Sequence, residues 1–309
     1  MILTGCSSSK YPMPYSADSG ISSFSMVNSE RTSSYADSFA SKLCVVDSSV
    51  NASSIPLTAS AAAGLFDIDG KDVIYAKDIH KKMYPASLTK MMTAIVALKN
   101  GSLDMILTAS SNVKITESGA QVIGLNKGDT LTLEQALNLL LIYSANDVAI
   151  LIAEGISGSE EAFVELMNRE ALSIGATNTH FMNAHGLNNE EHYSTPYDMY
   201  LIMNEAIQFD KFNEIIHTPE YSTTYYDAQG NPKDVNIKTT NMYLNGTIEM
   251  PAGVTVIGGK TGTTSAAGHC LVLLSRDTKS NPFISVVMKS DNREDLYGYM
   301  TMLLKQITN

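Results

Sequence analysis

Apolar positions along the chain form short continuous runs in some places and follow the helical repeat in others. Residues 61–67 and 73–75 are short apolar runs on either side of Asp69-Gly70. That arrangement predicts a hairpin, because glycine tolerates the positive φ of a tight primed turn. Residues 91–98 are apolar on nearly every face, so the predicted helix is buried all round rather than amphipathic. Residues 132–155, 159–173 and 196–207 carry helical spacing. Later, residues 254–257, 270–275 and 283–288 predict strands, the last two joined by a polar turn at 277–282, and residues 293–307 predict a closing helix. Strands first, helices in the middle and strands last imply an α/β fold of the α+β type. Its antiparallel sheet would be assembled from both ends of the chain and flanked by helices, with an inserted all-helical lobe at about residues 101–214. No internal repeat is present.

Composition changes this picture at one end. Residues 1–55 hold 17 serines and few large aliphatic side chains. Residues 1–44 therefore read as a flexible, solvated tether and residues 45–309 as the folded domain. The chain carries 21 basic and 32 acidic side chains, a formal charge of −11. Nucleic acid is excluded as a partner, because phosphate binding needs clustered Lys and Arg. No run reaches the roughly 18 apolar residues of a membrane span. Cys6, Cys44 and Cys270 lack the short paired spacings of a zinc site or a disulfide framework. His180 and His185 sit in a Thr/Asn/Gly-rich stretch with no acidic neighbour in sequence, so no metal and no cofactor are expected.

Three short patterns then occur in order: Ser87-Leu88-Thr89-Lys90, Ser144-Ala145-Asn146 and Lys260-Thr261-Gly262. A lone S-x-x-K reads more simply as an N-cap serine and a surface lysine, and decoys exist. S-x-x-K recurs at Ser7/Lys10 and Ser111/Lys114, and S-x-N at Ser49/Asn51, Ser110/Asn112 and Ser290/Asn292. Ser7 lies in the tether, Ser290 follows K-T-G, and Ser111 has no apolar helix behind it. Ser87 and Lys90 lie nearly one helical turn apart and share a face. A serine hydroxyl attacks only when a base takes its proton. A lysine is that base only if burial and a nearby cation depress its pKa. The apolar helix after Ser87 would supply the burial, and Lys260 the cation. The helix start also aims free N–H groups at Ser87, which suits a developing oxyanion.

These motifs are those of the serine penicillin-recognising enzymes. The longer stretches Tyr84-Pro85-Ala86-Ser87-Leu88-Thr89-Lys90-Met91-Met92-Thr93-Ala94, Ser144-Ala145-Asn146-Asp147-Val148-Ala149, Thr179-His180-Phe181, His192-Tyr193-Ser194-Thr195 and Gly259-Lys260-Thr261-Gly262-Thr263 resemble the D-alanyl-D-alanine carboxypeptidases of the low-molecular-mass penicillin-binding proteins. The resemblance runs from about residue 58 to the C-terminus. It implies that Ser87 is acylated, that Lys90 is its general base, and that Ser144 relays a proton to the leaving D-alanine. Asn146 would hold the substrate amide, Lys260 would polarise Ser144 and the substrate, and Thr261 would bind the terminal carboxylate. The oxyanion hole would be the backbone N–H of Ser87 and of Thr263, beyond Gly262, with Arg293 near the carboxylate.

The implied partners are a peptidoglycan stem peptide ending in D-Ala-D-Ala and β-lactams as covalent inhibitors, with the protein a monomer at the bacterial cell surface. Leu3-Thr4-Gly5-Cys6 resembles a lipobox, although only Ile2 and Leu3 stand where a signal peptide has its apolar stretch. It implies lipidation of Cys6 as the only link to a membrane, in place of the C-terminal anchor that many relatives carry. Two other readings stay open. A class A-like serine β-lactamase would need a glutamate to activate a deacylating water, and Glu165-Leu166-Met167-Asn168 lies only 19 residues beyond Asn146. A non-catalytic β-lactam sensor or wall-binding lipoprotein would keep the pocket without turnover.

Overall fold

β1 (Ala62–Asp67) and β2 (Asp72–Lys77) pair antiparallel, as the two apolar runs flanking Asp69-Gly70 predict. The turn between them works differently from the expectation. Lys71, not Gly70, takes the positive φ of 54°. Gly70 matters because it lacks a Cβ: the Asp67 carboxylate fills that space and accepts the Gly70 N–H at 2.8 Å. The computed structural model describes residues 40–308, and Cys6 and Ser7 of the expected tether lie outside them.

α1 (Thr89–Asn100) is buried at every position from Thr89 to Ala97, as a helix without a polar face must be. Beyond it the chain forms β3 (Ile106–Thr108), β4 (Thr130–Thr132), α2 (Leu133–Asn138), α3 (Asn146–Ser157), α4 (Glu160–Ser173), α5 (Pro196–Ala206) and α6 (Asp210–His217). The insertion is thus mainly helical rather than all-helical. A hairpin of β5 (Glu220–Tyr226) and β6 (Pro232–Lys238), which the periodicity did not reveal, joins β3 and β4 in a second sheet of order β3-β4-β5-β6.

Residues 132–155 do not form one helix. Thr132 starts α2 with a reciprocal cap: its hydroxyl accepts the Gln135 N–H while the Gln135 side chain accepts the Thr132 N–H. The helix then widens into a π-turn over Leu139–Tyr143 and stops at Ser144, which has a left-handed φ of 73°, before α3 begins. Such π-turns recur at functional sites, and this one ends on a motif residue.

β7 (Thr255–Thr264), β8 (Gly268–Arg276), β9 (Pro282–Ser290) and α7 (Arg293–Lys305) complete the chain. The main sheet has the order β2-β1-β9-β8-β7 and is antiparallel throughout. β9 lies against β1, with Ala62 opposite Met288 and Asp67 opposite Phe283. The sheet is therefore closed by early and late segments together, as expected. Alternation along β1 divides two cores. Ala63 and Leu65 pack with Leu296, Met300 and Leu303 of α7. Ala62 and Phe66 pack with α1 and α5, where Phe66 stacks on Tyr200 at 4.1 Å between ring centres. Cys44 and Cys270 are separate, buried free thiols, each bonded to a backbone carbonyl.

β7 is an edge strand. α6 covers its first half: His217 Nδ1 donates to Ile257 O at 2.8 Å, and Gly258 leaves room for Ile216 O, which a Cβ would approach to 2.2 Å. The second half, residues 261–264, faces a groove.

Candidate active site

The chain enters α1 through Pro85 and one 3₁₀ turn, Ala86–Leu88, in which Ala86 has a positive φ of 49°. This strained elbow is held from outside by Gly186, whose own φ is 88° and whose Cβ, were there one, would lie 2.0 Å from Ala86 O. Ser87 is thereby half-buried at the groove while Lys90, one turn on, is wholly buried. The Lys90 amine lies 3.0 Å from Ser87 Oγ, donates to Asn146 Oδ1 at 2.7 Å and donates to His185 O at 2.6 Å.

The break at Ser144 places its hydroxyl in the groove instead of along a helix side. Lys260, 1 % exposed, donates to Ser144 Oγ at 2.9 Å and to Thr261 O at 2.9 Å. All three motifs meet through these two lysines. Thr261 Oγ1 contacts Thr240 Oγ1, and Thr263 Oγ1 contacts His269 Nδ1 at 3.2 Å. A Cβ on Gly262 would sit 3.0 Å from Pro85 O and 3.1 Å from Ser87 N. That close approach brings the Ser87 N–H alongside β7, next to Thr263. The groove has a volume of about 870 Å³ and is lined by Ser87, Ser144, Asn146, Thr261, Gly262 and Thr263, with Arg293 on its wall at the first residue of α7.

Burial sets the electrostatics. It holds the Lys90 amine well below the usual lysine range, the neighbouring Lys260 lowers it further, and Asp147 opposes the shift. Burial likewise brings Lys260 down to about 7. His185, buried and close to Lys90, falls to about 3, and buried His192 to about 4. Both are therefore neutral and structural at physiological pH. His192 accepts the Met182 N–H on Nδ1 and so donates from Nε2 to Thr89 Oγ1 at 2.8 Å.

The decoys have other work. Ser111 lies in a short 3₁₀ turn, and Lys114 donates to Asn126 instead. Ser110 accepts the Asn112 N–H as a cap, Asn51 donates to Ile74 O, and Ser290 donates to Asn292 O. Several partners carry no sequence signal, because they are main-chain carbonyls: His185 O under Lys90, and Gln121 O, which accepts both the Asn146 N–H and its side-chain amide. Asp147 could have been found, since it directly follows Asn146. It is 2 % exposed and accepts the N–H groups of Ile123, Gly124, Leu125 and Val148. One carboxylate thus ties residues 123–125, next to the groove-lining 117–121 stretch, to the start of α3. Asp147→Ala should lower stability by about 3 kcal/mol, because each buried donor left dry costs on the order of 1–3 kcal/mol. It should also move the first proteolytic cut to residues 117–125. An unchanged melting temperature and digestion pattern would show that the carboxylate does not hold this segment.

A family model described as D-alanyl-D-alanine carboxypeptidase, peptidase S11, matches residues 49–292. D-alanyl-D-alanine carboxypeptidase DacF of Bacillus subtilis is 31 % identical over 246 residues, 79 % of this chain and 60 % of that protein. DacA of Escherichia coli is 30 % identical over 233 residues, 72 % of this chain and 54 % of that protein. The chain thus spans little more than half the length of these relatives. The crystal structure of the Streptomyces K15 DD-transpeptidase is similar with a TM-score of 0.73 and 25 % identity, covering 82 % of this chain and 98 % of that one. The family match takes in all three motifs, from Ser87 to Gly262, and the chain belongs to the D-alanyl-D-alanine carboxypeptidase family.

Proposed function

We propose that this chain is a serine D-alanyl-D-alanine carboxypeptidase that removes the terminal D-alanine of peptidoglycan stem pentapeptides through an acyl-enzyme. The observation that carries the reading is a fully buried lysine amine 3.0 Å from the half-buried Ser87 hydroxyl, with a second buried lysine on Ser144. Neutral Lys90 takes the Ser87 proton as Oγ bonds to the carbonyl carbon of the penultimate D-alanine. The resulting oxyanion is held by the backbone N–H groups of Ser87 and Thr263. When the intermediate collapses, the C–N bond breaks and the leaving amine takes a proton through Ser144, which Lys260 polarises. Thr261 and Arg293 hold the terminal carboxylate, and Asn146 fixes both Lys90 and the substrate amide. Departure of D-alanine admits the water that hydrolyses the ester.

The β-lactamase reading is weaker. Glu165 is exposed on α4 and is not a groove residue, so it cannot activate a water at Ser87. Turnover of a D-alanyl-D-alanine peptide separates an enzyme from a sensor. Action on peptidoglycan places the protein outside the cytoplasm, and no helix among the described residues is long and apolar enough to cross a membrane. Lipidation of Cys6, with residues 1–44 as the tether of a monomeric domain, fits that location. Palmitate should label the full-length gene product in cells and leave Cys6→Ala unlabelled; equal labelling, or none in either, would remove the lipid anchor.

In a β-lactam the leaving nitrogen stays attached to the acyl group and shields the ester. Benzylpenicillin should therefore leave one covalent adduct, detected by intact-protein mass spectrometry and mapped to Ser87. Ser87→Ala should give none, although Ser111 remains. Rapid turnover without a trapped species would favour the β-lactamase reading instead.

The pH dependence has a defined sign. Only neutral Lys90 accepts a proton, so acylation by benzylpenicillin should rise as pH rises through its depressed pKa. Because Lys260 helps to depress it, Lys260→Met should move that rising limb to higher pH on whatever rate remains. A limb that stays put or moves to lower pH would separate the two lysines electrostatically.

A further inference from the structure

A second cavity, of about 400 Å³, lies beside the groove and has no part in the chemistry above. Lys81, Lys82, Tyr84, Tyr193, Ala266 and Lys289 line it, with Glu190 as its single acidic side chain. Three lysines around one cavity stand out in a chain whose formal charge is −11. Lys82 packs its ammonium over the Tyr193 ring at 4.2 Å from the centroid, which fixes one wall.

Lys289 is aimed into this space by the backbone. Between the pairs His269–Ser290 and Leu271–Val287, β8 advances two residues and β9 three, so β9 carries a bulge. Lys289 sits in it with a positive φ of 60°. Bulges re-aim side chains, and a non-glycine residue held at positive φ is strained. Its ammonium donates to Ala266 O in the β7–β8 turn, leaving two of its three donors for a ligand.

The cavity continues the groove on both walls. Thr264 and Ser265 line the groove and Ala266 lines the cavity; opposite them, Leu187 lines the groove and Glu190 the cavity. Thr264 Oγ1 donates to Asn188 Oδ1 at 2.7 Å, joining the walls where the two spaces meet. Two residues, Thr264 and Ser265, lie between Thr263 and Ala266, so those positions are at most about 11 Å apart. Two or three residues of extended peptide cover the same distance. With Thr261 and Arg293 taking the carboxyl end, this exit receives the part of the substrate upstream of the bond that is cut.

We infer that the cavity bounded by Lys81, Lys82 and Lys289 binds a carboxylate carried by the stem peptide upstream of the scissile bond. The inference rests on the carboxypeptidase reading, and one experiment separates their failures. D-alanine release is measured on a soluble muramyl pentapeptide with its glutamyl carboxylate free, and on the same peptide with that group amidated. Wild type should show a KM lower for the free acid on the order of 3- to 10-fold, the range of a partly exposed ion pair. The preference should shrink as salt is raised. Lys81→Gln/Lys82→Gln should treat the two peptides alike, as should Lys289→Gly, which keeps the left-handed backbone accessible while removing the ammonium. Benzylpenicillin, too short to reach the cavity, should acylate all these variants at the wild-type rate. A preference absent in wild type, or unchanged in both variants, overturns the site while leaving the enzyme reading intact. Failure of wild type to release D-alanine or to be acylated overturns both.

Discussion

Two lysine amines are buried in one place, and most of the site is built to make that tolerable. An unpaired ammonium in an apolar interior is among the most costly groups a fold can hold. Lys90 is provided with Asn146 Oδ1 and His185 O, and Lys260 with Ser144 Oγ and Thr261 O. These are oxygens of dipoles rather than full charges, so they satisfy the donors without restoring the cation. Asp147 is the carboxylate that bears on Lys90, and its oxygens are taken by main-chain N–H groups. The balance leaves a basic amine beside a hydroxyl.

The same requirement accounts for features that look unrelated. α1 has no polar face because it must seal Lys90 from water. The Gly186 turn presses on the elbow before Ser87, and the neighbouring carbonyl of His185 accepts a hydrogen bond from Lys90. Neutral His192 holds Thr89, beside Lys90 in the chain, without adding a charge. Serine, lysine and their supports come from segments far apart in sequence, and the sheet that joins β1 to β9 brings them together.

Much of this is legible in the amino-acid sequence. The three motifs could be picked from their decoys by order and by the apolar helix behind Ser87, and the sheet with its late strands followed from short apolar runs bounded by turn residues. What escaped has physical causes. Leu139 to Tyr143 is apolar without interruption, so nothing in the pattern announces a helix that widens and stops at Ser144. Carbonyl acceptors such as those of His185 and Gln121 belong to every residue alike. The β5–β6 hairpin hides because Tyr225 and Ile237 are its only buried positions, which leaves its alternation faint. The expected all-helical insertion failed for a related reason: β3 and β4 are three residues each, too short for a period to show.

The placement of β7 at the border of the main sheet has a consequence for solubility. A free strand border is a template on which another chain can add, and proteins that leave one long and bare tend to aggregate. Here α6 occupies the border near Ile257 and Gly258, and the Ser87 elbow crowds it at Gly262. The stretch left open is a few residues long and lies at the bottom of a cleft. A short, extended peptide end can enter and pair there, whereas the flat border of a second folded copy cannot. The walls that make the cleft selective are also what keep the sheet from growing.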